Sequence, residues 1–217
     1  MERYGKSFKE LNHQEKKEYI IEYYKFHILG GAAALVILFS LLNHYVFNPP
    51  KQVIVDVTIT APYADPAGIE ELQAEVKKII EEKTANKTGL LEILYFSEKN
   101  DPQMQMAMTA KLMGKASTGE LDILILDQEH LDYFIENEVL LPLSDYLTAA
   151  EQTEYAGGEL INGSKDGNKI AVALPVKKDS PIGRILPADF QGYLAVYANA
   201  RDKELVQAVL PILLQAK

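Results

Sequence analysis

Cysteine is missing from all 217 residues. That excludes structural disulfides, thiolate catalysis, cysteine-ligated zinc and an acylated lipoprotein cysteine. Tryptophan is missing too, and so are the common catalytic signatures. There is no glycine-rich phosphate loop, no G-x-S-x-G elbow, no H-E-x-x-H helix and no EF-hand spacing. Three of the four histidines, His13, His27 and His44, fall in the N-terminal stretch, which leaves only His130 for any Ser-His-Asp chemistry in the rest of the chain. Basic residues are few beside acidic ones, 22 against 31, for a net charge of −9. Phosphate-backbone binding needs concentrated Lys and Arg, so no nucleic-acid partner is expected. The sequence presents no catalytic, cofactor-binding or metal-ligating set, and it reads as a non-enzymatic chain without a cofactor.

What is there is a large apolar fraction, 47%, against 24% charged residues. That suits one folded domain plus an anchor. The stretch Phe26 to Phe47, "FHILGGAAALVILFSLLNHYVF", contains no Asp, Glu, Lys or Arg. At about 1.5 Å per residue it is long enough for a hydrocarbon core of roughly 30 Å. Tyr19, Tyr23, Tyr24 and Phe26 precede it and Tyr45 and Phe47 close it, an arrangement suited to the two headgroup layers. A cleaved signal peptide would be shorter and end at small residues, whereas this run ends in "NHYVFNPPK", so an uncleaved signal-anchor is expected. Arg3, Lys6, Lys9, Lys16, Lys17 and Lys25 lie before the span and only Lys51 lies close behind it. Positive-inside bias then places residues 1–25 in the cytoplasm and 52–217 outside, in a single-pass protein of the cell membrane. Gly30 and Ala34 have the spacing of helix-pairing motifs, although small residues are common in such helices anyway. Asn12 and Glu15 form a capping-box pattern, so a helix should begin near residue 13. "NPPK" at 48–51 reads as a stiff extended spacer.

Beyond the spacer, strands and helices alternate. "QVIVDVTIT" at 52–60 is β-branched, and Asp65-Pro66 then caps a helix whose Ile69, Leu72, Val76, Ile79 and Ile80 share one face. "TGLLEILYF" at 88–96 is a second strand, and Asp101-Pro102 opens a second helix. The methionines of that helix, at 104, 106, 108 and 113, read as core filler. "LDILILD" at 121–127 is apolar enough for a central strand, and Asp127 caps a third helix. Asp166-Gly167 is turn chemistry before an alternating strand over 169–176. A strand over about 192–200 and a helix from about 202, interrupted by Pro211, close the chain. The order predicts an α/β domain with one mainly parallel sheet flanked by helices.

The stretch "GKASTGELDILILDQEHLDYFIENEVLLPLSDYL" resembles the first lobe of type 2 extracellular solute-binding proteins. "DGNKIAVALPV" is similar to the segment by which the chain leaves that lobe, and "GYLAVYANARDKELVQAVLPIL" to the segment by which it returns. In that family most of the second lobe lies between the two. Here only "KKDSPIGRILPADFQ" at 177–191 separates them, so the resemblance implies one lobe of the fold, carried on a transmembrane helix. The run "EYIIEYYKFHILG" also resembles a juxtamembrane Tyr-Tyr-Lys motif of small membrane proteins in Gram-positive anaerobes, and a cysteine-free outer domain suits a bacterial cell envelope. Without a second lobe no cleft can shut by hinge motion. The expected role is therefore contact with another envelope protein or a transporter, through an exposed sheet edge or the face that the second lobe covers in the family. The alternative is a membrane-anchored solute receptor, made two-lobed as a homodimer. A hydrolase using His130 is a third reading. Ligands of open α/β sheets sit at the carboxyl edge of the strands, which singles out Tyr63, Ser97 and Gln128 as contact residues. Asp65, Asp101 and Asp127 are assigned to capping.

Overall fold

The computed structural model describes residues 12–47, 50–97, 101–165 and 167–215. It divides into two compact units, Met1–Pro50 and Lys51–Lys217. In the first, α1 runs from His13 to Leu42 and passes into a π-helical turn, Asn43–Phe47. The Asn12 side chain accepts from the backbone of Gln14 and Glu15, and the Glu15 carboxylate accepts from the Asn12 N–H at 2.8 Å. Among the described residues one helix is long and apolar enough to cross a membrane, Tyr24–Phe47. Every residue of that span is exposed within the chain. Asn48 and Pro49 of the expected spacer lie outside the described residues.

The second unit contains β1 (Gln52–Ala61), α2 (Pro66–Lys83), β2 (Lys87–Tyr95), α3 (Pro102–Thr118), β3 (Ile123–Leu126) and α4 (Gln128–Glu136). These are followed by α5 (Ala149–Tyr155), β4 (Ile161–Lys165), β5 (Asn168–Pro175), α6 (Pro181–Ile185), β6 (Tyr193–Val196) and α7 (Lys203–Leu214). The strands form one sheet in the order β2-β1-β3-β6-β5-β4. β1 pairs in parallel with β2 and β3, whereas the β3–β6, β6–β5 and β5–β4 pairings are antiparallel. The sheet is thus mixed, not mainly parallel. Connection length accounts for the parallel β1, β2 and β3 and for the β4–β5 hairpin. α2 and α3 supply the long crossovers that parallel neighbours need, but β4 and β5 are joined by a tight turn, with Gly167 at φ 78°, which permits only antiparallel pairing.

β4, α5 and α6 are additions to the elements read from the sequence, and β3 and β6 are four residues each, shorter than their apolar runs suggest. Nor does Pro211 end α7, which stays helical to Leu214. Val206, Val209, Leu210, Leu213 and Leu214 are all buried, and that packing offsets the hydrogen bond which proline cannot make. The methionines also divide. Met108 and Met113 pack against a core, but Met104 and Met106 are 48% and 72% exposed. α3 buries only its Leu112 and Lys115 fully, so its first turns have no core to fill.

Helices cover the sheet on both faces. Val55, Val57, Ile59 and Ala61 of β1 enter the larger core, with Leu72, Val76 and Ile80 of α2 and the apolar face of α7. The alternate residues, Asp56, Thr58 and Thr60, face the other way and are buried as well. Their partners form a buried charge network. Lys115 Nζ donates to Asp56 Oδ1 and Oδ2 at 2.9 and 2.8 Å, to Thr58 Oγ1 at 2.8 Å and to Glu92 Oε2 at 3.0 Å. The fully buried Asp122 accepts the Asp56 N–H at 2.7 Å and the Arg201 N–H at 2.7 Å, and it pairs with the Arg201 guanidinium. Burial pushes the Asp56 carboxyl above its ordinary value, and the Lys115 and Thr58 hydrogen bonds reverse only part of that rise.

Removing one partner of a buried pair leaves the other charge stranded. Lys115→Met should therefore lower stability by about 3–5 kcal/mol. Combining it with Asp56→Leu should recover more than half of the loss. Urea unfolding of the full-length protein in detergent micelles measures both, and a double variant as unstable as the single one would show that packing, not charge pairing, sets the cost.

Candidate functional site

Three parallel strands end side by side. Ala61 of β1 lies in register with Tyr95 of β2, and Ile59 of β1 with Ile125 of β3. The residues that follow them line a cleft of about 700 Å³. Pro62 follows β1, Phe96 and Ser97 follow β2, and Asp127 to His130 follow β3. Gln105 and Thr109 of α3 contribute a further part of the lining. Asp189 and Phe190, just before β6, complete it.

Each of the three helices opening at this edge is capped by its aspartate. Asp65 accepts from Gly68 N–H, Asp101 from Met104 N–H and Asp127 from His130 N–H, all at 2.9 Å. Asp127 does more than cap. Both of its oxygens lie 2.8 Å from His130 Nδ1, and its own N–H donates to Thr60 Oγ1 at 3.1 Å. The imidazole packs on Phe96, with ring centroids 4.2 Å apart. Burial works against the Asp127 charge, but the hydrogen bonds from His130 outweigh it and hold the carboxyl below its ordinary value. The His130 ring is thereby fixed by a carboxylate on one nitrogen and by a tilted aromatic ring packed against it.

Of the residues singled out from the sequence, Ser97 and Gln128 line the cleft. Ser97 accepts at its backbone carbonyl from Gln105 Nε2 at 3.1 Å, and Gln128 Nε2 donates to Asp132 Oδ1 at 2.8 Å. Tyr63 stands outside the lining and is 55% exposed. Phe96, His130, Asp189 and Phe190 belong to the lining as well, beyond the three residues that the carboxyl-edge rule singles out. Asp189 and Phe190 sit in the segment 177–191, a structured connection between β5 and β6. Ile182, Ile185 and Leu186 are buried, and the Ile185 carbonyl accepts from Asp65 N–H at 2.8 Å. Ser180 followed by Pro181 is the visible signal, because it caps and opens α6.

Among the described residues, no group of three or more His, Asp or Glu is placed to hold a metal ion. No family model and no curated protein matches the chain. Among solved structures, it is similar to an extracellular solute-binding protein family 1 from Alicyclobacillus acidocaldarius subsp. acidocaldarius DSM 446, at 18% identity and a TM-score of 0.34. That match covers 58% of this chain and 28% of the other.

The Asp127–His130 contact carries a pH signature. A carboxylate whose folded value is depressed stabilises the fold fully above its unfolded value, near 3.8, and loses that contribution as pH falls through the lower folded value. Unfolding midpoints of Asp127→Asn should therefore vary less with pH than the wild type below about pH 4. Parallel curves for the two proteins down to about pH 3 would contradict this.

Proposed function

We propose that the chain is a single-span membrane protein whose outward-facing domain binds a protein of the envelope at the carboxyl edge of β1, β2 and β3, without catalysing a reaction. The observation that carries this reading is the rim of that edge. Tyr63, Tyr95, Met104 and Met106 are exposed there, beside the cleft lined by Ser97 and Gln128. Exposed aromatics and methionines clustered at one end of a domain are the usual material of a protein contact, and methionine adapts to varied partners. The orientation follows the charge bias around the span, with the N-terminus in the cytoplasm.

A second reading, a solute receptor working with a transporter, is favoured by the cleft itself. Phe96, Phe190 and His130 offer flat surfaces, while Gln105, Thr109 and Gln128 offer hydrogen bonds. On that reading a small ligand should raise the melting temperature, and a transport permease should co-purify.

Two experiments test the leading reading. Because the chain has no cysteine, single cysteines report topology without background. Ala150→Cys should react with a membrane-impermeant maleimide on intact cells, and Gln14→Cys only after lysis; the reverse pattern would invert the orientation. For the contact, Tyr63→Glu combined with Met106→Glu should cut recovery of the crosslinked partner at least about tenfold, the scale of losing a central anchor. The melting temperature should hold, since both side chains are exposed. Undiminished recovery would rule this face out.

A further inference from the structure

Among the described residues, β2 ends the sheet and pairs only with β1. Its outer side should therefore present free N–H and C=O groups, which invite another strand. At its middle those groups are taken. Gln73, on α2, donates from Nε2 to the Gly89 carbonyl at 3.0 Å and accepts at Oε1 from the Leu91 N–H at 2.6 Å. A single residue of a parallel neighbour would make the same two bonds, giving its N–H to one residue and accepting from the residue two further on. The carboxamide has the same donor and acceptor as a peptide group, and it occupies that place.

The local sequence makes the reach feasible. A Cβ at position 89 would lie 2.6 Å from both Ile80 Cδ1 and Val76 Cγ1, so only glycine lets α2 lie this close to the strand. Charge guards the start of the same strand, where Glu81 pairs with Lys51 at 2.7 Å and accepts from Thr88 Oγ1 at 3.3 Å.

We infer that Gln73 is a surrogate strand that keeps the β2 edges of two copies from pairing. A second copy is the relevant occupant. Every outward residue of an edge strand offers both a donor and an acceptor, so the edge is complementary to itself. This also removes the β2 edge from the surfaces available for partner contact.

The test uses full-length protein in detergent micelles and two variants. Gln73→Ala strips the edge; Gln73→Glu keeps an acceptor for Leu91 and adds a charge, which opposes strand addition. The Gln73→Ala protein should form dimers by analytical ultracentrifugation, and its Leu91 amide should exchange about tenfold faster at a concentration where it is monomeric. The Gln73→Glu protein should remain monomeric. A Gln73→Ala protein that stays monomeric across the concentration range overturns the inference, whatever its exchange rate. Equal self-association of the two variants overturns it too, because a general loss of stability would then be the cause.

Discussion

The polar face of β1 depends on pairing the buried carboxyl groups of Asp56 and Asp122 with Lys115 and Arg201. β1 lies second in the sheet, covered on both faces, yet Asp56, Thr58 and Thr60 among its buried side chains are polar. Burying an ion costs several kcal/mol after relaxation, and only close pairing with further hydrogen bonds offsets that. The pairing draws its members from four places. Lys115 comes from α3, Glu92 from β2, Asp122 from the position just before β3, and Arg201 from the turn before α7. Arg201 also donates to the Val53 carbonyl at 3.0 Å, near the irregularity in the β1–β2 pairing. Such a network adds little net stability over a well-packed apolar core. Its effect is on uniqueness, because a register slip of one residue in β1 would turn Asp56 and Thr58 into the apolar core beneath α2.

That dependence also explains what the sequence shows and what it hides. Local signals read directly: the Asp-Pro pairs at 65–66 and 101–102, the Asn12 capping box and the Asp166-Gly167 turn are all short-range patterns, and the first three carry the caps they announce. The alternation in "VDVTIT" was in view as well, but as evidence for a strand. Its polar half becomes informative only once both faces are known to be covered, and then it demands a buried cation. Nothing local points to Lys115, which is 59 residues from Asp56, or to Arg201, which is 79 from Asp122. The sheet's mixed direction is hidden for a related reason. Strand-helix-strand order implies parallel neighbours up to β3, but β6 enters between β3 and β5 from far along the chain, and no spacing rule fixes where a late strand inserts.

The candidate site was legible in the same partial way. The rule that ligands sit at the carboxyl edge of open sheets led to Ser97 and Gln128, because both directly follow a strand. It could not find Gln105 and Thr109, one helical turn apart on α3, or Asp189 and Phe190, which reach the cleft only because α6 is packed into the core. Tyr63 satisfied the rule by position and still fell outside the lining, since a strand end places the backbone but not the direction of the next side chain.

The cleft and the buried network share a strand, and this bears on how the site can behave. Asp56, Thr58 and Thr60 follow one another along a single face of β1. Thr58 donates to Asp56 Oδ1 at 2.5 Å, whereas Thr60 donates to the Ile125 carbonyl and accepts from Asp127 N–H at 3.1 Å. The polar face of β1 therefore runs from the ion pairs to the residue that holds His130. The candidate site rests on this hydrogen-bonded strand, which fixes its base, and on the proposed reading adaptation to a partner comes from the exposed rim. Methionine and tyrosine are suited to that: their side chains can repack while the backbone beneath them stays fixed. A rigid floor with a soft rim fits a surface that meets another protein better than a clamp that must close. On the proposed reading, specificity would fall to the fixed groups, above all the His130 ring, whose Nδ1 is held by Asp127 and which packs on Phe96.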